Sequence, residues 1–206
     1  MREDQRRFAP AATRNREAIC QALKNEWPAQ GKVLEIASGS GEHAVFLARH
    51  APHLQFQPSD PDPEARASIE AWQVHEGLES VAPPLSIDVR EPDWADSISQ
   101  FEALLCINMI HIAPWSASEG LFKGSKAVLA PKGLLYLYGP FQRGGLHTAK
   151  SNAAFDESLR ERNPEWGVRD LEAVEDLATR SGLALQKVIE MPANNLSLIF
   201  RGQSPD

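Results

Sequence analysis

Five apolar runs of strand length, each parted from the next by a stretch with helical spacing, limit this chain's folds more than any other feature. They are read at Lys32–Ala37, Leu54–Ser59, Leu85–Val89, Ala103–Asn108 and Leu134–Gly139. The intervening helices are read at Gly41–His50, Glu64–Glu76, Trp94–Ile98 and Ser116–Ala130, after a first helix over Ala12–Trp27. Strands alternating with helices imply a parallel sheet covered on both faces. The last third changes character. Helical patterns at Asn152–Arg162 and Asp170–Ser181 are followed by "LALQKVIEM" and "LSLIFR", joined only by Pro192–Asn195. So short a link requires an antiparallel hairpin, because a parallel return needs a dozen residues or more.

Composition narrows the class. The 206 residues suffice for one domain with a real core, and the 42% hydrophobic and 24% charged shares are those of a soluble globular protein. A net charge of −7 lacks the broad basic footprint that a phosphate backbone requires, so nucleic acid is not expected as a partner. Cys20 and Cys106 fall in a helical pattern and an apolar run, and are expected as buried thiols of a reducing compartment. "MREDQRRFAP" has charge but no apolar core of a secretory signal, and no run approaches the ~18 apolar residues of a membrane span. The expectation is a cytoplasmic protein with no membrane partner. Residues 1–10 are read as a flexible arm and residues 11–202 as a single domain. Its oligomeric state is not legible.

The first strand runs into Gly39-Ser40-Gly41-Glu42-His43-Ala44, which fits the loose dinucleotide pattern G-x-G-x-x-G/A. A turn of this kind lets backbone approach a ligand closely and leaves free N–H groups at the helix start. In open α/β sheets ligands bind beyond the carboxyl ends of the strands. Glu35, Asp60, Asp88 and Asn108 stand near four successive strand ends and are expected to form one rim. Asp60 can accept from two ribose hydroxyls, and Asp88 with the Val89 backbone can accept from an adenine amine. Glu35 either contacts the ligand or orients the loop. Read alone, Asp60 and Asp88 also suit helix caps or turns. His43 sits on the first turn of the helix and shapes the pocket. His43, His50 and His53 lack metal-ligand spacing, so no metal is expected.

"VLEIASGSGEHA" is similar to the first motif of class I methyltransferases, with Ala37 where many members carry a glycine. "QPSDPDP", "NMIHIAPW", "LYGPF", "SNAAFDESLR", "PEWGVRD" and "MPANNLSLIF" together resemble one family of methyltransferase-like proteins. That family is a domain of unknown function, also met as methyltransferase-like protein twenty-six, and the likeness runs from Arg14 to Arg201. It implies a Rossmann-like, seven-stranded α/β methyltransferase sheet with the last strand antiparallel. It also implies S-adenosylmethionine as cofactor, bound by Glu35, Ala37, Ser38, Gly39, Gly41, His43, Asp60, Asp88, Val89 and Asn108.

The reaction implied is methyl transfer to an unidentified small-molecule acceptor. His111, three residues beyond Asn108, is the candidate base, against a role as a cap or a packed core histidine. Trp115, Tyr138, Phe141, His147 and Trp166 are candidates for the acceptor pocket, against ordinary core roles. The stretch 141–166 is long for a plain connection and is read as a cover over the acceptor. A non-catalytic cofactor-binding module and an NAD-dependent oxidoreductase are the alternatives.

Overall fold

Strand β1 (Gly31–Ile36) sends alternate side chains to opposite faces, Val33 to one and Leu34 and Ile36 to the other. β3 (Phe101–Ile107) repeats the pattern, with Ala103, Leu105 and Ile107 on the first face and Leu104 and Cys106 on the second. Because both faces are buried, the strands read as nearly continuous apolar runs. The structure, a computed structural model, describes residues 4–96 and 98–202.

Six strands form the main sheet in the order β2-β1-β3-β4-β9-β8, with β2 at Leu54–Pro58, β4 at Leu129–Gly139, β8 at Leu183–Met191 and β9 at Asn195–Gly202. β1 to β4 pair parallel, and β9 pairs antiparallel with both β4 and β8. One face is covered by α1 (Pro10–Leu23) and α2 (Glu42–His50) through Ile19, Leu23, Leu47 and Ala48. The other is covered by α4 (Trp115–Val128) and α6 (Leu171–Arg180) through Leu121, Phe122, Val174 and Leu177. A helix α3 (Pro63–Glu76) lies between β2 and the next stretch. A second sheet is built from β5 (Phe141–Arg143), β6 (Leu146–His147) and β7 (Arg169–Asp170) in the order β6-β5-β7, with α5 (Lys150–Arg162) between β6 and β7.

The seventh strand expected at Leu85–Val89 is not among the described strands. This stretch borders β2, where Phe56 N–H donates to Ser80, Ala82 N–H to Phe56 and Leu85 N–H to Pro58. Its pairing is limited to the isolated bridges Phe56–Val81 and Ser59–Leu85. The reason is local: Pro83 and Pro84 have no N–H to give a ladder. Ile87 and Val89 still turn into the core.

The helix expected at Trp94–Ile98 is a run of turns through Asp96, and Ser97 lies outside the described residues. This segment lies tight on α4. An added Cβ at Gly120 would stand 1.9 Å from the Val89 carbonyl oxygen, and one at Gly124 would stand 2.1 Å from the Trp94 ring. The two glycines, four apart on one helix face, permit that approach. α1 ends at Leu23 rather than Trp27, and α4 gives way to β4 at Leu129, one residue before the expected end of that helix at Ala130.

The described part of the stretch expected as a loose arm is fastened. Arg7 N–H donates to Ser68 Oγ at 2.8 Å, Trp72 Nε1 donates to the Arg7 carbonyl at 3.0 Å, and Phe8 packs edge-on against Trp72.

Candidate functional site

The glycine turn is tied to the end of β2 by its backbone. Ser38 N–H donates to the Ser59 carbonyl at 2.8 Å, Ser59 N–H donates to Ser38 Oγ at 3.2 Å, and Gly39 N–H donates to Asp60 Oδ2 at 3.0 Å. Asp60 Oδ1 also accepts from Asp62 N–H at 3.0 Å. A carboxylate offers about four acceptor positions, so two of these stay free for a ligand. Ala37, Gly39 and Gly41 all hold positive φ, at 54°, 57° and 90°. An added Cβ at Gly39 meets nothing within 4 Å, whereas one at Gly41 would stand 2.9 Å from the backbone of Ile69 in α3. Gly41 therefore serves close helix packing, and Gly39 leaves open space beside the turn.

Glu35 is buried, and its Oε2 has no hydrogen-bond partner among the described residues. Burial, reinforced by the Asp60 charge and opposed by Ser38, lifts its carboxyl to about 7. His43 is buried at the start of α2 and bonds to Asn15 Oδ1 of α1 at 2.7 Å. Burial and the nearby Arg16 charge lower its imidazole to about 4, so it is neutral at physiological pH. Glu35, Ala37, Ser38, Gly39, Gly41 and Asp60 thus form one connected group, with His43 behind it.

Asp88 and Val89 are placed differently. Both Asp88 oxygens are occupied by Arg90, whose Nε and Nη2 approach at 2.9 Å and 2.5 Å and whose N–H donates at 3.0 Å. The Val89 carbonyl faces Gly120 of α4, so this pair is not a free acceptor edge for an adenine.

The second feature is a cavity of about 990 Å³. The β3 end contributes Asn108, His111 and Ile112, and the β4 end contributes Tyr138 and Pro140. α1 supplies Ala11, Arg14, Asn15 and Ala18, α5 supplies Ser151, Asn152, Phe155 and Arg162, and the hairpin supplies Pro192, Ala193 and Asn195. Asn108 holds φ 64° and donates its N–H to the Tyr138 carbonyl at 2.8 Å, joining the two strand ends. β1 pairs Ile36 with Cys106, so the glycine turn and Asn108 leave the sheet side by side. Asn15 links the two features, bonding His43 while standing beside the Tyr138 hydroxyl.

His111 is 1% exposed, and neither ring nitrogen has a hydrogen-bond partner among the described residues. Burial, with the Arg169 charge, lowers its imidazole to about 3. The ring packs edge-on against Phe141 with centroids 5.1 Å apart, and an added Cβ at Gly139 would stand 2.3 Å from Nε2. An unpartnered buried imidazole is a costly arrangement in a folded core, and this one borders the cavity.

Of the expected pocket residues, Tyr138 lines the cavity. Phe141 is fully buried core beneath His111, so the expectation that it faces an acceptor is corrected. Trp115 packs against the core and under the Arg169 guanidinium. His147 lies by Gln142 and Asp156, and Trp166 lies under Arg162; neither lines the cavity. Gly144 and Gly145, within the stretch expected as a cover, give their N–H groups to Glu172 and Asp170. Sequence reasoning missed the α1, α5 and hairpin walls. Their signal was a second helical stripe: positions 11, 14, 15 and 18, and 151, 152, 155 and 162, repeat at the spacing of one helix face.

The model of the family "Protein of unknown function (DUF938)" matches residues 6–202. The chain belongs to that family. Among solved structures it resembles an O-methyltransferase family protein from Burkholderia thailandensis, with TM-score 0.77 and 16% identity over 94% of this chain and 61% of that one. It also resembles human N-acetylserotonin methyltransferase in complex with SAM, with TM-score 0.77 and 13% identity over 94% and 53% of the two chains. A third is an O-methyltransferase family 2 protein from Planctomyces limnophilus in complex with apigenin, with TM-score 0.73 and 16% identity over 91% and 62%. The chain thus spans little more than half the length of these structures. At such identities the likeness establishes a methyltransferase-type α/β fold. Among the described residues no helix is long and apolar enough to cross a membrane.

Proposed function

We propose that this DUF938 chain transfers a methyl group from S-adenosylmethionine to a small-molecule acceptor. One observation carries the reading: the glycine turn with its Asp60 acceptor and the cavity over Asn108, His111 and Tyr138 open from neighbouring ends of the same parallel strands. Structures of similar fold include one with SAM and one with apigenin, which supports the same pairing of ligands. The residues present fit the cofactor. Asp60 keeps acceptor positions for ribose hydroxyls, Gly39 leaves room for close approach, and the buried Glu35 carries an unpartnered oxygen. Asn108 leaves the sheet beside the turn, Ser38 ties the turn to the end of β2, and His43 backs it against α1. No Lys or Arg stands in the turn from Ala37 to Gly41, but backbone N–H groups hold a pyrophosphate without one, so titration has to separate the two cofactors.

When bound, S-adenosylmethionine supplies a methyl group activated by its sulfonium. The chain's own contribution is to hold the acceptor in line and keep water out, and orientation of this kind is worth about 7–11 kcal/mol. An acceptor atom would be held in line with the carbon–sulfur bond, and an acceptor that carries a proton there would have to lose it. His111, a neutral imidazole among the lining residues, is the candidate to take that proton once one of its ring nitrogens, both buried here, is brought against the acceptor. α5 closes one side of the cavity with Asn152 and Phe155, which gives the cover expected from residues 141–166 a narrower form.

Calorimetric titration tests the reading. S-adenosylhomocysteine is expected to bind and to raise the melting temperature, with NAD(H) doing neither at matched concentration. Asp60→Ala is expected to weaken that binding by roughly 1.5–3 kcal/mol without loss of fold. Stabilisation by NAD(H) alone would replace this reading with an oxidoreductase. Binding without turnover on any acceptor would leave a non-catalytic module.

A further inference from the structure

In a chain with seven more acids than bases, an arginine without a carboxylate partner calls for a reason. Arg7, Arg49, Arg90, Arg143, Arg160 and Arg201 each form an ion pair with an Asp or Glu. Within the described residues Arg14, Arg16, Arg66, Arg162, Arg169 and Arg180 do not, and of these Arg14 and Arg162 line the cavity, one from α1 and the other from the last turn of α5. Among the described residues Arg14 makes no side-chain hydrogen bond. Arg162 spends Nε on the Ser158 carbonyl at 3.1 Å and rests over Trp166, which leaves its two terminal nitrogens unengaged. The cavity contains no Asp or Glu among its described lining residues, so nothing there neutralises the two guanidinium groups.

The remaining lining has a different chemistry. Ile112 and Phe155 are 45% and 40% exposed, two of the few large apolar side chains that stay open to solvent in this protein, and both face this cavity. Pro140 and Pro192 extend the apolar wall. Guanidinium groups recognise carboxylates and phosphates through paired N–H donors, and an apolar wall takes hydrocarbon or aromatic surface.

We propose that the cavity binds a small organic acid, its apolar body against Ile112 and Phe155 and its anionic group on Arg14 and Arg162. The inference rests on the methyl-transfer reading only in calling that acid the acceptor.

The test uses the full chain and a matched set of probes: benzoate, 4-hydroxybenzoate and phenylacetate, beside the neutral amide of each. The acids are expected to bind about tenfold or more tightly than their amides, and to lose that advantage as salt is raised. Arg14→Gln and Arg162→Gln are each expected to weaken the acids about tenfold while leaving the amides unchanged, which also shows that the variants fold. Amides that bind as well as acids, acids indifferent to both substitutions, or no binding by any of the three acids would each overturn the proposal. S-adenosylhomocysteine titrated into the same samples separates the two claims. If the acids bind and S-adenosylhomocysteine does not, methyl transfer falls and the acid site stands. If S-adenosylhomocysteine binds and the acids do not, the acid site falls and methyl transfer stands.

Discussion

The glycine turn and the cavity lie side by side at the strand ends, yet they are built in opposite ways. The turn is one continuous stretch, Glu35 to His43, hydrogen-bonded to Ser59 and Asp60 just past the end of β2. The cavity is assembled from α1, two strand ends, α5 and the β8–β9 hairpin, whose residues run from Ala11 to Asn195. In the first, backbone N–H and carbonyl groups set the geometry. In the second, side chains from five segments face one space. A backbone-built site tolerates little change in conformation, whereas a side-chain-built site can exchange residues and so change ligand on one scaffold. The first therefore suits an invariant cofactor, and the second an acceptor particular to this family.

The largest effect expected from this contrast concerns Glu35. Its carboxyl rises from the ordinary 4.5 to about 7 on folding, so between those values the folded state holds a proton that the unfolded chain has released. Stability contributed by this group is present below pH 4.5 and is lost as the pH rises toward 7. His43 and His111 act with the opposite sign. Their folded values, about 4 and about 3, lie below the ordinary 6.5, so their contribution is lost as the pH falls from 6.5. Glu35→Gln mimics the protonated form. The variant is expected to match the wild type in acid and to exceed it by on the order of 3 kcal/mol above neutrality. Urea denaturation of both proteins across this range measures the gap. A gap that does not grow with pH would mean that Glu35 is not held in a site of this kind, and would weaken the view of the turn as the more tightly built region.

The same contrast explains what the sequence disclosed. The turn was legible because its glycines, its acid and its strand are neighbours in the chain, and because apolar strands separated by helices admit few arrangements. The β8–β9 hairpin was legible from the shortness of its link. The edge stretch at Leu85–Val89 misled because its apolar residues do turn inward, while Pro83 and Pro84 stop the ladder that would make it a strand. Asp88 misled because nothing in "LSIDVR" tells whether Arg90 will fold back onto it. Phe141 and Trp115 were read as cavity walls because aromatic residues near strand ends look alike in sequence, whether they face a ligand or the core. Arg14, Asn15 and Phe155 went unnoticed for the reverse reason. They lie on helices whose core-facing stripe is the stronger periodic signal, and only the packing of α1 and α5 turns their second stripe toward a common space.

Gly139→Ala tests the cavity side at intermediate size. The added methyl carbon would stand 2.3 Å from His111 Nε2, and the imidazole cannot withdraw freely because Phe141 packs against it. Overpacking of this kind costs about 1–3 kcal/mol. The functional signature is sharper than the stability loss: acceptor turnover is expected to fall while the affinity for S-adenosylhomocysteine holds, since the turn is untouched. Turnover that survives a displaced His111, followed by the NMR signals of its ring, would remove the histidine from the reaction. Loss of S-adenosylhomocysteine affinity would instead show that the two regions are mechanically one.

The smallest effect is expected at Ala37, where the turn departs from the glycine that many class I methyltransferases carry. Its φ of 54° lies in the left-handed region, which costs an L-residue about 1–2 kcal/mol. Glycine would relieve that cost, but it would also free the unfolded chain, an opposing effect of about 0.4–1 kcal/mol. It would further remove a methyl group that packs against the core, and full burial of such a group is worth about 0.8 kcal/mol. These contributions nearly cancel, so Ala37→Gly is expected to change stability by less than about 1 kcal/mol, with a slight gain because the methyl is only partly buried. Denaturation midpoints in urea, at unchanged slope, measure it. A loss larger than about 1 kcal/mol would mean that the alanine is retained for its packing and that side chains help to set the turn as well. The division between a backbone-built cofactor side and a side-chain-built acceptor side would then have to be redrawn at that residue.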